Sequence, residues 1–261
     1  MADLPLESQI LSTPSELTWG MRGPPAEAGP LPAFFFFFTH IAETLDQAPI
    51  REVADQFTNL PLRIFTVNLP HHGPGLDSRK GVDRWRKDLA QGKDCLTPFL
   101  KAVLKDMEFL MKQGWVQPEA YAVGGLSRGG FIAFHLAALD PQIACVLAFA
   151  PLTDLFYLEE FQHLQDNAIA KPLQLSEQID SLAGRPVNIY VGNRDERVGT
   201  ERVFTFAKEL VERSHLKRLR SPPVEFSFFP SIGFKGHGTP PEIFRAGTRW
   251  VAKQLNLENK G

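Results

Sequence analysis

Short apolar runs alternate along this chain with longer stretches whose apolar positions recur every three or four residues. Runs rich in branched and aromatic residues fall at 33–38, 62–68, 120–124, 144–149, 187–191 and 224–229, and most are apolar at successive positions. A strand solvated on one face alternates, whereas a strand covered on both faces does not. These runs therefore predict an α/β architecture, a mostly parallel central sheet with helices on both faces. Between the runs lie helical stretches such as "PFLKAVLKDMEFLMKQG", with Thr97 expected as N-cap, Pro98 as the first helical residue and Gly114 as the stop. "RGGFIAFHLAAL", "ERVFTFAKELVERSH" and "PPEIFRAGTRWVAKQL" supply further helices.

Two segments break the pattern. Residues 152–182 mix aromatic and polar positions and are longer than a connection, so they are expected as a small cap-like insert of one or two helices over the sheet. Residues 1–30, rich in Pro and Gly, are placed only loosely, with one edge strand expected near "ELTWGMRG". Residues 1–261 read as one domain. The five phenylalanines Phe34 to Phe38 form the most apolar run. They are far too few for the ~20 residues of a spanning helix, so no membrane association is expected and the run reads as a central strand.

Composition narrows the class. With 43% hydrophobic and 22% charged residues among 261, the chain can bury a sizeable core. A net charge of −2 gives no sign of a polyanionic partner, and "KRLR" at 217–220 reads as the solvated end of a helix rather than a nucleic-acid patch. The N-terminal stretch is acidic and lacks an apolar run of signal-peptide length, and a cytoplasmic location is the expectation. The two cysteines, Cys95 and Cys145, suggest neither a disulfide framework nor a metal site.

The chemistry concentrates after the third run, where "YAVGGLSRGGF" contains Gly125-Leu126-Ser127-Arg128-Gly129. A serine at a sharp strand-to-helix turn needs small residues two before and two after it, so that strand and helix can approach. A phosphate-binding loop would need Lys and Ser or Thr after its last glycine, but Phe131 and Ile132 follow Gly130; the dinucleotide spacing of glycines is also absent. A serine hydroxyl needs a base, and the base needs a group to orient it. Open α/β sheets carry such groups at the carboxyl ends of their strands. There the fifth run presents Asp195 in "NRDERVGT" and the sixth presents His237 in "SIGFKGHGT". Taken singly, Asp195 could be an N-cap and His237 a turn residue; the chain order Ser127, Asp195, His237 favours a triad.

From about Leu31 onward the sequence resembles the α/β-hydrolase superfamily, and "GLSRGG", "GRPVNIYVGNRDERVGT" and "GHG" look most like its dienelactone hydrolase and prolyl oligopeptidase-type branch. The resemblance implies Ser127 as nucleophile, His237 as general acid and base, and Asp195 as the residue that orients it. It does not identify a substrate. The small insert, which leaves an open pocket, and the lack of a lipase-like apolar lid favour a cofactor-independent carboxylesterase acting on small esters. The resemblance also permits an exopeptidase or amidase as the alternative. Such peptidases often carry an access-limiting domain, and none is evident in this sequence. One oxyanion donor would be the backbone N–H of Arg128. The other would come from the loop after the phenylalanine run, which reads Thr39-His40-Ile41 where relatives carry His-Gly. Aligning the two puts the donor on Ile41; a one-residue slip puts it on His40. A hydrolase-like fold used only for binding is the non-enzymatic alternative.

Other residues are candidates for lesser roles. His71 and His72 in "NLPHHGPG" share the functional end of the sheet and read as turn or pocket residues, without further ligands at a spacing that would suggest a metal. Phe156 and Tyr157 could roof an acyl pocket or pack in the core. Asp154 is the alternative acid. His135 reads as structural, and Arg128 could also meet a carboxylate-bearing substrate.

Overall fold

A computed structural model describes residues 8–257; the first seven residues of the N-terminal segment and the last four of the chain lie outside the described residues. Among the described residues there are eight strands: β1 Gln9–Ser12, β2 Thr18–Arg22, β3 Leu31–Phe37, β4 Arg63–Val67, β5 Val116–Leu126, β6 Val146–Phe149, β7 Val187–Gly192 and β8 Val224–Phe229. They form one sheet in the order β1-β2-β4-β3-β5-β6-β7-β8. β2 runs antiparallel to both its neighbours and every other pairing is parallel. The six predicted runs are all strands. The N-terminal expectation is corrected in one respect: "TWGMR" is not at the edge but is covered by β1, whose short sequence gives little strand signal of its own.

Eight α-helices among the described residues flank the sheet: α1 Ile41–Leu45, α2 Glu52–Asp55, α3 Gly81–Ala90, α4 Thr97–Lys112, α5 Arg128–Leu139, α6 Ile179–Leu182, α7 Thr200–Leu216 and α8 Pro241–Gln254. α4 to α7 pack against one another in succession on one face, and α2 packs on α8 on the other. α4 stops at Gln113, followed by Gly114 at φ 76, as expected. Its start differs, because Asp94 Oδ1 takes the N–H groups of Leu96 and Thr97 at 2.9 Å, so a carboxylate upstream caps the helix in place of Thr97.

β3 lies between β4 and β5, and Phe34 to Phe37 are fully buried. The pleat sends the rings to opposite faces. Phe34 meets Phe36 and Phe57, both with centroids 5.6 Å away, while Phe35 stacks on Phe65 at 5.2 Å and meets Trp19 edge-on at 5.8 Å. Each such side chain contributes roughly 1.5–3 kcal/mol relative to exposure. Gly124 on the neighbouring β5 makes room, since a Cβ there would lie 2.6 Å from the Phe34 ring.

The insert is built differently from the expectation. In place of one or two helices, residues 155–178 form four 3-10 segments, with α6 closing the stretch. Side chains bond backbone N–H groups where short turns begin: Asp154 takes that of Phe156, Gln174 that of Leu155, and Asn167 those of Ile169 and Ala170. The N-terminal segment is likewise tied down by buried polar groups. Arg63 donates to the carbonyls of Pro24, Pro25, Gly29 and Trp115, and Asp106 accepts from Thr13, Ser15 and Trp19.

Candidate active site

Ser127 sits on the turn from β5 into α5, with φ 56 and ψ −116, and is 8% exposed. This left-handed backbone is held by three bonds: Ser127 N–H donates to Phe149 O at 2.9 Å, and Ser127 O accepts from the N–H groups of Leu152 at 3.1 Å and Phe131 at 3.3 Å. The flanking glycines are required by close approach. A Cβ on Gly125 would lie 2.2 Å from the Gly129 carbonyl carbon, and one on Gly129 would lie 1.7 Å from Phe37 O. The second approach seats the end of β3 against the start of α5 and brings the Thr39-His40-Ile41 loop beside Ser127.

Asp195 and His237 arrive on the loops after β7 and β8. Hydrogen bonds join those loops: Glu196 N–H to Lys235 O at 2.8 Å, Arg194 N–H to Ser231 Oγ at 2.7 Å, and Ser231 N–H to Asn193 Oδ1 at 3.1 Å. Gly236, at φ 70, lets the two loops touch, since a Cβ there would lie 2.1 Å from Arg194 O. His237 Nδ1 then lies 2.7 Å from Asp195 Oδ2, and its Nε2 lies 2.9 Å from Ser127 Oγ. Asp195 Oδ1 already accepts the N–H groups of Arg197 at 2.9 Å and Val198 at 3.1 Å. A carboxylate fixed in this way is an acceptor on both oxygens, so Nδ1 carries the imidazole proton and Nε2 offers its lone pair to the serine hydroxyl.

The loop after β3 departs from the His-Gly alignment. Ile41 N–H donates to Asn68 Oδ1 at 3.0 Å and is not free for a substrate, so the expected donor at Ile41 is corrected. His40 is the N-cap of α1, and its backbone N–H has no partner among the described residues, nor has that of Arg128 at the start of α5. A helix start leaves N–H groups unpaired by construction, and this one directs the first free N–H to His40. Asn68 carries no catalytic signal in the sequence. Its role follows from its place at the end of β4, beside the loop.

The two histidines of "PHHG" part company. His72 is buried; its Nδ1 bonds Pro70 O at 2.7 Å, and its Nε2 lies 2.7 Å from an Arg128 nitrogen. His71, at φ 62, turns to Asp88 at 2.7 Å, and with Cys95 the three hold donor atoms within 4.8 Å of one another. Seventeen residues separate His71 from Asp88, which is why spacing did not reveal the group. Burial and the neighbouring Asp88 push the Cys95 thiol up to about 12, favouring its protonated form. Phe156 and Tyr157 line a cavity of about 760 Å³ with Asp154, Gln174, Arg202 and Phe206, and the triad residues are not among its walls. Asp154 bonds Phe156 and Gln174 there.

Burial pulls His72 and His135 from 6.5 down to about 4, so both are neutral in the folded protein. Between those values the unfolded chain binds more protons, and stability therefore falls as pH drops from about 6.5 to about 4. Chemical denaturation at pH 7.5 and 4.5 is expected to register a loss of a few kcal/mol, since each tenfold weakening of proton affinity on folding is worth about 1.4 kcal/mol. The loss should be smaller in His135→Gln, and an equal loss in parent and variant would contradict a buried neutral His135.

No family model matches the chain. It is 26% identical over 207 residues to YtaP of Bacillus subtilis, which is named as a hydrolase, with 72% of this chain and 68% of that protein covered. An esterase from an Arctic intertidal metagenomic library superposes with TM-score 0.65 at 16% identity, covering 96% of this chain and 92% of its own. A puromycin-hydrolyzing peptidase of Mycobacterium tuberculosis superposes with TM-score 0.68 and a dipeptidyl aminopeptidase IV-type chain from Bacteroides ovatus with 0.69, each at 16% identity. They cover 99% and 97% of this chain, which spans only 41% and 36% of their lengths. The strand order, the helices on both faces and these superpositions make this chain a protein of the α/β-hydrolase fold.

Proposed function

We propose that the protein is a serine hydrolase that cleaves small carboxylic esters through an acyl-enzyme intermediate. The observation that carries this reading is the relay from Ser127 Oγ through His237 to Asp195, with bonds of 2.9 and 2.7 Å, on a serine at φ 56. As Oγ attacks the carbonyl carbon, His237 Nε2 takes its proton. The imidazolium then gives that proton to the leaving alkoxide as the ester C–O bond breaks, and the acyl group remains on Ser127. Water repeats the sequence, losing its proton to Nε2 and freeing the acid. Asp195 holds Nδ1–H and stabilises the imidazolium. Such a base contributes ~10²–10⁴-fold. The backbone N–H groups of Arg128 and His40 would receive the oxyanion, and each such donor is worth ~10²–10³-fold.

The likeness to YtaP supports the hydrolase class, and the Arctic esterase, matched nearly end to end, supports the ester as substrate. The peptidase neighbours favour an amide-cleaving second reading. A panel of p-nitrophenyl esters and aminoacyl-naphthylamides separates the two. Ester turnover with kcat/KM at least tenfold above any amide is the expected result, and the reverse ranking would replace esterase by peptidase. A fluorophosphonate probe should label the protein once per chain, whereas no labelling and no turnover would leave only a binding role.

A further inference from the structure

Arg128 directly follows the nucleophile. Its guanidinium is drawn inward and one nitrogen holds both uncharged partners it has: Nη1 lies 2.7 Å from His72 Nε2 and 2.8 Å from Ser78 O. His72 is neutral with its proton on Nδ1, so it accepts from Arg128 and adds no charge. Among the described residues the buried Nε has no hydrogen-bond partner, and none is found for Nη2. The Nε–Nη2 edge, the side-on fork of the guanidinium, is therefore unpaired, although the residue as a whole keeps partial exposure.

Neighbouring acids do not fill that fork. Glu160 is held by both terminal nitrogens of Arg197 at 2.7 and 3.0 Å, and Glu43 by Thr39 and Ser78 Oγ. Burial, and then the nearby Arg197, draw the Arg128 pKa down to about 10 against the opposing pull of Glu43 and Glu160. These surrounding groups belong to the loops that ring Ser127: Glu43 follows the Thr39-His40 loop and Arg197 follows Asp195. The buried, unpartnered Nε–H costs free energy that an incoming carboxylate bonded to Nε and Nη2 would recover through two charge-assisted bonds.

From this free fork beside the nucleophile we infer that the substrate carries a carboxylate, which docks on the Nε–Nη2 edge of Arg128 while its ester group meets Ser127. The inference rests on the serine-hydrolase reading and names its substrate class. The His72–Arg128 bond then acts as a positioning contact, because a neutral acceptor holds the fork in place without neutralising it.

Two matched pairs of chromogenic or acetyl esters test the inference. Mono-p-nitrophenyl glutarate is compared with its methyl ester for a carboxylate on the acyl side, and 4-acetoxybenzoate with methyl 4-acetoxybenzoate for one on the leaving group. The expected result is a kcat/KM favouring the anionic member of at least one pair by about 10- to 100-fold. That ratio should fall at least tenfold in Arg128→Met and fall less in Arg128→Lys, which keeps the charge and loses the fork. Ratios near or below one in the parent, with the neutral esters turned over, overturn the inference and leave the hydrolase reading intact; this arm needs no variant to fold. Titration of Ser127→Ala with monomethyl glutarate gives a readout independent of turnover. Saturable binding that is lost in Ser127→Ala/Arg128→Met supports the anion site even if no ester is cleaved. Absence of binding, together with parent ratios near one, overturns it.

Discussion

Ser127→Ala is expected to lower ester kcat by roughly 10⁴- to 10⁶-fold and to abolish fluorophosphonate labelling, with the fold retained. The size follows from the geometry. Ser127 Oγ is the atom His237 Nε2 faces at 2.9 Å, and without it neither the proton transfer nor the acyl intermediate can form. Residual turnover should come from water activated by His237 between the two backbone N–H groups, which the substitution does not remove. Stability should change little or rise, because alanine at φ 56 relinquishes only a hydroxyl whose one side-chain partner among the described residues is the imidazole. Circular dichroism and thermal melts establish that the fold persists, while single-turnover kinetics and probe labelling read the loss. A variant that hydrolyses esters within tenfold of the parent, or that still labels, would remove Ser127 from the mechanism.

Asp195→Asn should lower kcat by about 10⁴-fold, through a tautomer rather than through a lost contact. Asn can keep the two backbone bonds that Asp195 Oδ1 accepts from Arg197 and Val198. Its amide nitrogen then faces His237 Nδ1 as a donor. The imidazole responds by carrying its proton on Nε2, where it can no longer accept the proton of Ser127. Asp195→Glu tests geometry separately, since it keeps the charge but displaces it by one methylene from the 2.7 Å contact. The two variants are compared by ester kcat and by proton NMR of the His237 ring. Near-parental kcat in Asp195→Asn would shift the orienting role to another acid. Asp154 does not qualify by position, because it bonds Phe156 and Gln174 on the wall of a separate cavity.

Most of the sheet was legible because it depends on local and repeating features. Successive apolar positions such as Phe34 to Phe37 have one stable destination, a strand covered on both faces, and the glycines around Ser127 announce a turn in which backbones touch. The insert was not legible in the same way. Its short turns begin on bonds from backbone N–H groups to Asp154, Asn167 and Gln174, and a periodicity of apolar positions carries no record of those bonds.

By itself the sequence determined the α/β class, the strand that delivers each candidate residue, and the order Ser127, Asp195, His237, because strand runs and glycine-marked turns are written locally. Tertiary structure alone decided which N–H groups remain free and which charges remain unmatched. Ile41 is engaged by Asn68, 27 residues away, leaving His40; Arg128 is held by His72, 56 residues away, leaving one edge of its guanidinium open. Such outcomes depend on what is already bonded to a group, and a hydrogen bond between distant residues leaves no pattern along the chain.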